Sequence, residues 1–150
     1  MQNPEVPSNE DLSLRVRMHT RWSDEDNQSV LNNAVYMTLF EEARHAYFSG
    51  LDLLDANRFP FVLLQTNVRF VAPGSGGVDV EVALGTTHLG RSSFTQAYRV
   101  RECNSDGSVG AIWCEAEAVL VAWDATRRSG RPMEEDFRAA IARFEAQAKG

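Results

Sequence analysis

Residues 21–48 read RWSDEDNQSVLNNAVYMTLFEEARHAYF, and their character changes halfway along. The first part, SDEDNQSVLNN, is polar and rich in turn-forming residues, which indicates a loop. Over residues 34–51 the apolar side chains recur at helical spacing and form a wide apolar face. Asn32 and Asn33 are suitable N-cap residues, and Gly50 is a suitable C-terminal stop. The stretch therefore predicts a loop that leads into the longest helix of the chain.

The segments on both sides of this helix alternate with the period of β-strands. Over residues 13–22, leucine, valine and methionine alternate with arginine and histidine, which is typical of a half-buried strand. Four more strand-like segments follow Pro60, at residues 60–72, 78–90, 92–103 and 108–124. They are separated by the turn sequences PGSGG, GR and NSDG. Strands in direct succession predict an antiparallel meander.

The order of these elements predicts an α+β fold. One long helix followed by a run of strands can pack as an antiparallel sheet of about five strands wrapped around that helix. An acidic, amphipathic segment at residues 133–149 predicts a C-terminal helix. Residues 1–12 carry prolines and polar residues and are interpreted as a flexible tail, which leaves residues 13–150 as a single domain. The free edges of such a sheet favour pairing with a second copy.

Composition excludes several classes of function. The 150 residues suit one domain, and a net charge of -6 argues against a general nucleic-acid binder. Cys103 and Cys114 lack metal-ligand spacing and are expected to be reduced. The polar, acidic N-terminus does not resemble a signal peptide, and no apolar run approaches membrane-spanning length. The sequence therefore predicts a cytoplasmic protein without a metal, an organic cofactor, a nucleic-acid partner or a membrane partner.

Residues 21–48 also resemble a family signature. An aromatic strand end, D-x-D-x-x-G-H-v-N-N-x-x-Y and a helix with E-E-A-R are typical of the 4-hydroxybenzoyl-CoA thioesterase-like branch of the hotdog superfamily. TNVRFVAPGSGGVDVEVAL and LGRSSFTQAYRV are similar to later strands of that branch, so the resemblance extends from Leu14 to Met133. It implies a hotdog fold and an acyl-CoA thioesterase that works as a homodimer or homotetramer.

The sequence departs from this signature at two adjacent positions. Where the family commonly has Gly-His, this chain has Ser29 and Val30. The 4-hydroxybenzoyl-CoA thioesterases themselves have an aliphatic residue in place of the histidine, so thioesterase chemistry is still expected. A possible acid–base partner is nevertheless absent, and serine in place of glycine is expected to reshape the loop.

The resemblance assigns roles for thioester hydrolysis, which needs an activated water or nucleophile and a site for the developing oxyanion. Asp26 matches the family's catalytic aspartate, either as a general base or as a nucleophile. The backbone amide of Asn33, at the positive end of the helix, would polarise the carbonyl. Tyr36 is assigned to the wall of the substrate pocket. The alternatives are a turn aspartate at Asp26, helix capping by the asparagines and ordinary core packing of the tyrosine.

Three other acidic positions compete with Asp26. Asp24 is expected to be a solvated loop acid or a support for Arg21. Another hotdog branch uses a glutamate on the central helix, which makes Glu41 and Glu42 candidates. We expect Glu42 and Arg44 to form a structural polar pair instead.

A protein that acts on a CoA ester also needs residues that bind the CoA phosphates, and arginine is suited to this role. The candidates are Arg91 and Ser92, directly after the Leu89-Gly90 turn, and the cluster of Arg127, Arg128 and Arg131. The alternative for each arginine is an ordinary surface charge.

Two other functions compete with thioester hydrolysis. Hotdog dehydratases and hydratases act on acyl thioesters with a histidine and an acid in a different motif, and Val30 disfavours that reading. A non-catalytic dimer that binds an acyl ligand is the second alternative, and the presence of Asp26 argues against it.

Overall fold

The computed structural model describes residues 2–149, so Met1 and Gly150 lie outside the described residues. The elements are β1 (Leu14–His19), α1 (Asn33–Gly50), β2 (Phe61–Phe70), β3 (Asp79–Leu89), β4 (Ser93–Cys103), β5 (Val109–Asp124), β6 (Ser129–Gly130) and α2 (Glu135–Lys149). A single turn of 3-10 helix (Trp22–Asp24) precedes α1. These elements confirm the predicted α+β hotdog fold with a C-terminal helix. Within residues 2–149, neither helix is both long and apolar enough to span a membrane.

The sheet is antiparallel, and its strand order is β1-β3-β4-β5-β2, with β6 paired to β5. The predicted meander is confirmed for β3, β4 and β5 only. β2 pairs with the far side of β5, because the free side of β3 is occupied by β1, in the register Leu14↔Leu84. Between β2 and β3 the chain therefore crosses from the β2 edge of the sheet to the position beside the opposite edge strand, β1. β2 is left as an edge strand.

The core lies between α1 and the inner face of the sheet. Phe40 packs on Tyr98 of β4 with ring centroids 5.0 Å apart, and Phe48 packs on Phe94 at 5.6 Å. Each fully buried aromatic side chain of this kind contributes about 1.5–3 kcal/mol through removal of apolar surface from water. The wide apolar face read from the sequence is therefore the face that holds α1 inside the curled sheet.

The segment before β1 lies against the outer face of the sheet. Leu12 is almost fully buried against Ala83 of β3 and Ala97 of β4, and Val6 packs on the same cluster. The mobility expected for residues 1–12 stays a prediction.

Candidate functional site

The loop before α1 is closed by its own backbone. The Asp26 N–H donates to the carbonyl of Val30 at 2.8 Å, and the Ser29 N–H donates to the carbonyl of Asp26 at 3.1 Å. Ser29 has φ +61°, in the left-handed region, where a residue with a Cβ is strained by about 1–2 kcal/mol. The serine therefore holds a backbone conformation that glycine, the residue of the motif, adopts freely.

A second contact fixes this loop to the β2–β3 connection. The Leu31 N–H donates to the carbonyl of Gly74 at 2.9 Å. A Cβ on Gly74 would lie 2.6 Å from the Tyr36 hydroxyl and 2.6 Å from the Trp113 ring. A side chain at position 74 would therefore displace Tyr36 or Trp113, and glycine avoids this where the connection bonds the loop.

The Asp26 side chain is exposed, and only one of its oxygens is engaged. Its Oδ1 accepts a hydrogen bond from the Gln28 N–H at 2.7 Å. Within residues 2–149, no donor bonds its Oδ2. The turn role that the sequence allowed for Asp26 is therefore present, and it leaves one carboxylate oxygen available for chemistry.

The first turn of α1 has one free amide. The Asn32 side chain accepts from the Ala34 N–H at 2.9 Å, and its carbonyl accepts from the Val35 N–H at 2.9 Å, which confirms Asn32 as the N-cap. Within the described part of the chain, the Asn33 N–H has no acceptor. This donor lies at the positive end of the helix dipole and is suited to an oxyanion.

Tyr36 lies one turn into α1, and its ring packs on Phe70 at a centroid distance of 5.6 Å. Burial raises its pKa to about 12, so the hydroxyl is a neutral donor near pH 7. That hydroxyl bonds to no other group among residues 2–149. It lies beside Gly74, close to the loop that carries Asp26.

Asp24 has a structural role in this geometry. It is only 7% exposed, and its carboxylate accepts from Arg21 through the backbone N–H at 2.8 Å, Nε at 3.0 Å and Nη2 at 2.7 Å. The side-chain hydrogen bond from Arg21 holds the pKa of Asp24 below its usual value. The expected support for Arg21 is confirmed, whereas a solvated position is wrong. Both carboxylate oxygens of Asp24 accept hydrogen bonds, whereas only one oxygen of Asp26 does so among residues 2–149.

We expect Asp24→Ala to lower the free energy of unfolding at pH 7 by about 1–3 kcal/mol, because it removes the buried carboxylate that accepts hydrogen bonds from the Arg21 backbone N–H and guanidinium. A lowered folded-state pKa gives stability that is present above the unfolded value of about 3.9 and is lost as pH falls through the folded value. The difference between wild type and variant should therefore shrink toward pH 2. Urea unfolding at pH 7 and at low pH measures it, and an equal difference at both would contradict the ion-pair role.

The expected pair of Glu42 and Arg44 does not form. Glu42 is exposed, and Arg44 is buried with its Nε donating to the Tyr98 hydroxyl at 2.8 Å. Positions two apart on a helix face different directions, which explains the error.

The predicted phosphate-binding residues form a second cluster. The carbonyls of Arg91 and Ser92 accept from the N–H groups of Met133 and Ala122, at 2.9 and 2.8 Å, so this turn lies beside the β5–β6 hairpin. Arg127 and Arg128 lie in that hairpin turn and are exposed. Arg131 differs from them, because its Nη1 pairs with Glu134 at 3.1 Å.

These two clusters lie at opposite ends of the sheet. β3 begins at Asp79, near the loop that carries Asp26, and ends at Leu89, beside Arg91. Its length corresponds to roughly 30 Å at about 3.3 Å per residue. Asp26 lies on the loop that leads into the helix of Asn33 and Tyr36, whereas the arginines of the same copy lie at the other end of the sheet.

Comparisons with known proteins agree with this fold. The family described as the thioesterase-like superfamily matches residues 20–141. A thioesterase from Thermus thermophilus, solved with coenzyme A and Zn, is 29% identical over 91% of this chain and 97% of that one, with a TM-score of 0.76. The 4-hydroxybenzoyl-CoA thioesterase from a Pseudomonas species is 17% identical over 85% and 97%, with a TM-score of 0.75, and supports the fold alone. No curated protein sequence matches the chain.

Proposed function

The chain belongs to the thioesterase-like superfamily, and we propose that it hydrolyses an acyl-CoA thioester to a free acid and CoA. The observation that carries the proposal is that, among residues 2–149, one carboxylate oxygen of Asp26 has no hydrogen-bond partner, on the loop that leads into the unbonded helix amide of Asn33. A base or nucleophile and an oxyanion donor are the two groups that acyl transfer requires. Release of the CoA thiol, followed with a thiol reagent, tests the proposal.

In the proposed reaction, the thioester carbonyl oxygen accepts a hydrogen bond from the Asn33 N–H. Asp26 either takes a proton from a water whose oxygen attacks the carbonyl carbon, or attacks that carbon itself to give a mixed anhydride. In both routes the C–S bond breaks and CoA leaves as a thiolate that gains a proton. The anhydride route then needs a water to release the acid and regenerate Asp26.

Tyr36 is proposed to line the substrate pocket. Its hydroxyl stays protonated near neutral pH and lacks a protein partner within residues 2–149. It can therefore donate to an oxygen of the bound substrate.

The proposal includes a homodimer, or a tetramer built from it, that pairs through β2. This edge strand and the residue after it expose large apolar side chains, namely Val62, Leu63, Leu64, Phe70 and Val71. An apolar edge strand with unpaired backbone groups favours pairing with another strand. Two-fold pairing of β2 with the partner's β2 would bury both edges.

Such pairing would also complete the site. β2 begins at Phe61, at the end of the sheet that holds Arg91, and finishes at Phe70, at the end that holds Asp26. Antiparallel pairing places the start of one strand beside the finish of the other. The arginine cluster of one copy would then lie on the same side of the dimer as Asp26 of the other.

Both cysteines are free, in keeping with the proposed cytoplasmic location.

We expect Arg91→Ala, or Arg127→Ala with Arg128→Ala, to raise KM for acyl-CoA and to leave kcat nearly unchanged. The nucleotide of CoA is far from the breaking bond, so contacts there are equal in the ground and transition states. The KM effect should shrink with added salt, because exposed charges are screened over about 10 Å at 0.1 M ionic strength.

The control is the same acyl group on a truncated thiol without phosphates. The arginine variants should match wild type on that substrate. An equal defect on both substrates would mean that these arginines support the fold or the dimer.

A further inference from the structure

Arg44 is a charged side chain inside the core. It is only 7% exposed, and its Cζ lies 5.4 Å from the centroid of the Tyr98 ring. Within residues 2–149, no carboxylate lies within 4.0 Å of it. A buried charge without a counter-ion costs free energy unless hydrogen bonds stabilise it. The hydrogen bonds that begin at Arg44 are therefore part of what stabilises this charge in the core.

They form a continuous chain across the core. The Arg44 Nε donates to the Tyr98 hydroxyl at 2.8 Å, and Tyr98 donates to the Gln96 Oε1 at 2.7 Å. The Gln96 Nε2 donates to the Thr86 hydroxyl at 3.1 Å, and Thr86 donates to Tyr47 at 3.0 Å. The chain ends on α2, where the Tyr47 hydroxyl donates to the Glu145 Oε2 at 2.5 Å.

The two ends of the chain fix its direction. A guanidinium only donates and an ionised carboxylate only accepts, so every group between them has one orientation. Burial raises the pKa of Tyr98 to about 12 and raises that of Tyr47 as well, which keeps both hydroxyls protonated. Aligned hydrogen bonds polarise one another, so the chain acts as a unit between Arg44 and Glu145.

We propose that this chain sets the position of α1 along its own axis, and that Arg44 and Glu145 are positioning residues for the proposed hydrolysis. Most of the other core contacts of α1 are apolar and tolerate small sliding movements. The chain instead bonds α1 directionally at Arg44 and Tyr47, one turn apart, to the sheet and to α2. The position of the helix determines where the Asn33 amide meets the carbonyl.

The test breaks the chain in the middle. Thr86→Val keeps the side-chain shape and removes the hydroxyl, and Tyr47→Phe removes the next hydroxyl. Each should lower kcat about tenfold to a hundredfold, the effect of a misplacement on the order of 1 Å, with KM nearly unchanged. A role in stability alone would lower the free energy of unfolding and leave kcat of the folded protein intact.

Ser13→Ala is the matched control. The Ser13 hydroxyl donates to the same Glu145 Oε2 at 2.7 Å, but it does not connect to α1. We expect this variant to lose stability without losing kcat. Equal kcat losses in Ser13→Ala and Thr86→Val would overturn the proposal.

A second measurement does not depend on activity, although the catalytic part of the inference rests on the proposed function. Amide hydrogen exchange in the first two turns of α1 should be faster in Thr86→Val than in Ser13→Ala. Unchanged exchange would overturn the positioning role. If wild type hydrolyses no thioester and the exchange difference is present, the proposed function fails while the control of α1 by the chain stands.

Discussion

Asp26→Asn is expected to fold like wild type and to lose about two to four powers of ten in kcat, the scale of a lost positioned base. The side chain is exposed, and an asparagine oxygen can still accept from the Gln28 N–H, so the loop should keep its shape. Only the negative charge on the free oxygen is removed. Steady-state kinetics with an acyl-CoA, beside thermal unfolding of the same sample, measures both parts.

Glu42→Gln is the matched control, because Glu42 is exposed on α1 and has no hydrogen-bond partner among the described residues. It should retain nearly full activity. If Asp26→Asn stays active and Glu42→Gln does not, the acid belongs on the helix and the assignment of Asp26 is wrong.

A charge on the β2 edge should have the second large effect. Leu64 is 67% exposed, and Leu64→Lys would place a lysine in the proposed seam between two copies. We expect a folded monomer by sedimentation. We also expect kcat/KM to fall about tenfold to a hundredfold, because the monomer loses the partner's arginine contacts, and exposed charge pairs are worth up to about 1 kcal/mol each. Ala142→Lys, on an exposed face of α2, is the control and should stay dimeric and active.

Mixed dimers separate a shared site from a merely stabilising interface. A heterodimer is formed from one copy that carries Asp26→Asn and one copy in which Arg91, Arg127 and Arg128 are replaced by alanine. If one copy supplies the acid and the other the arginines, the heterodimer has one intact site. At acyl-CoA concentrations well below the raised KM of the arginine variant, it should then recover activity that both homodimers lack. A folded, fully active wild-type monomer at working concentration would rule out the shared site.

The sequence was a good guide where a property depends on neighbours in the chain. The apolar spacing predicted α1, and the pair of asparagines predicted its cap, which is Asn32. The partners of each strand were not predictable from alternation, since alternation gives the buried face and not the neighbour. The meander was therefore wrong for β2, which pairs with β5.

The candidate site divides in the same way. Asp26, Asn33 and Tyr36 lie within eleven residues of sequence, so a local motif was enough to group them. The separation of Arg91 from them depends on the direction of β3, which the motif does not give. The chain from Arg44 to Glu145 joins two helices and two strands through residues that each look ordinary, so only the fold brings it together.

The central claim is hydrolysis of an acyl-CoA thioester at Asp26. Its most direct test is the release of CoA thiol from a panel of aliphatic and aromatic acyl-CoAs, with wild type and Asp26→Asn assayed side by side. The account predicts turnover of at least one substrate by wild type and almost none by the variant. If wild type releases no thiol from any panel member while binding acyl-CoA, the protein is an acyl-ligand binder and the claim is wrong.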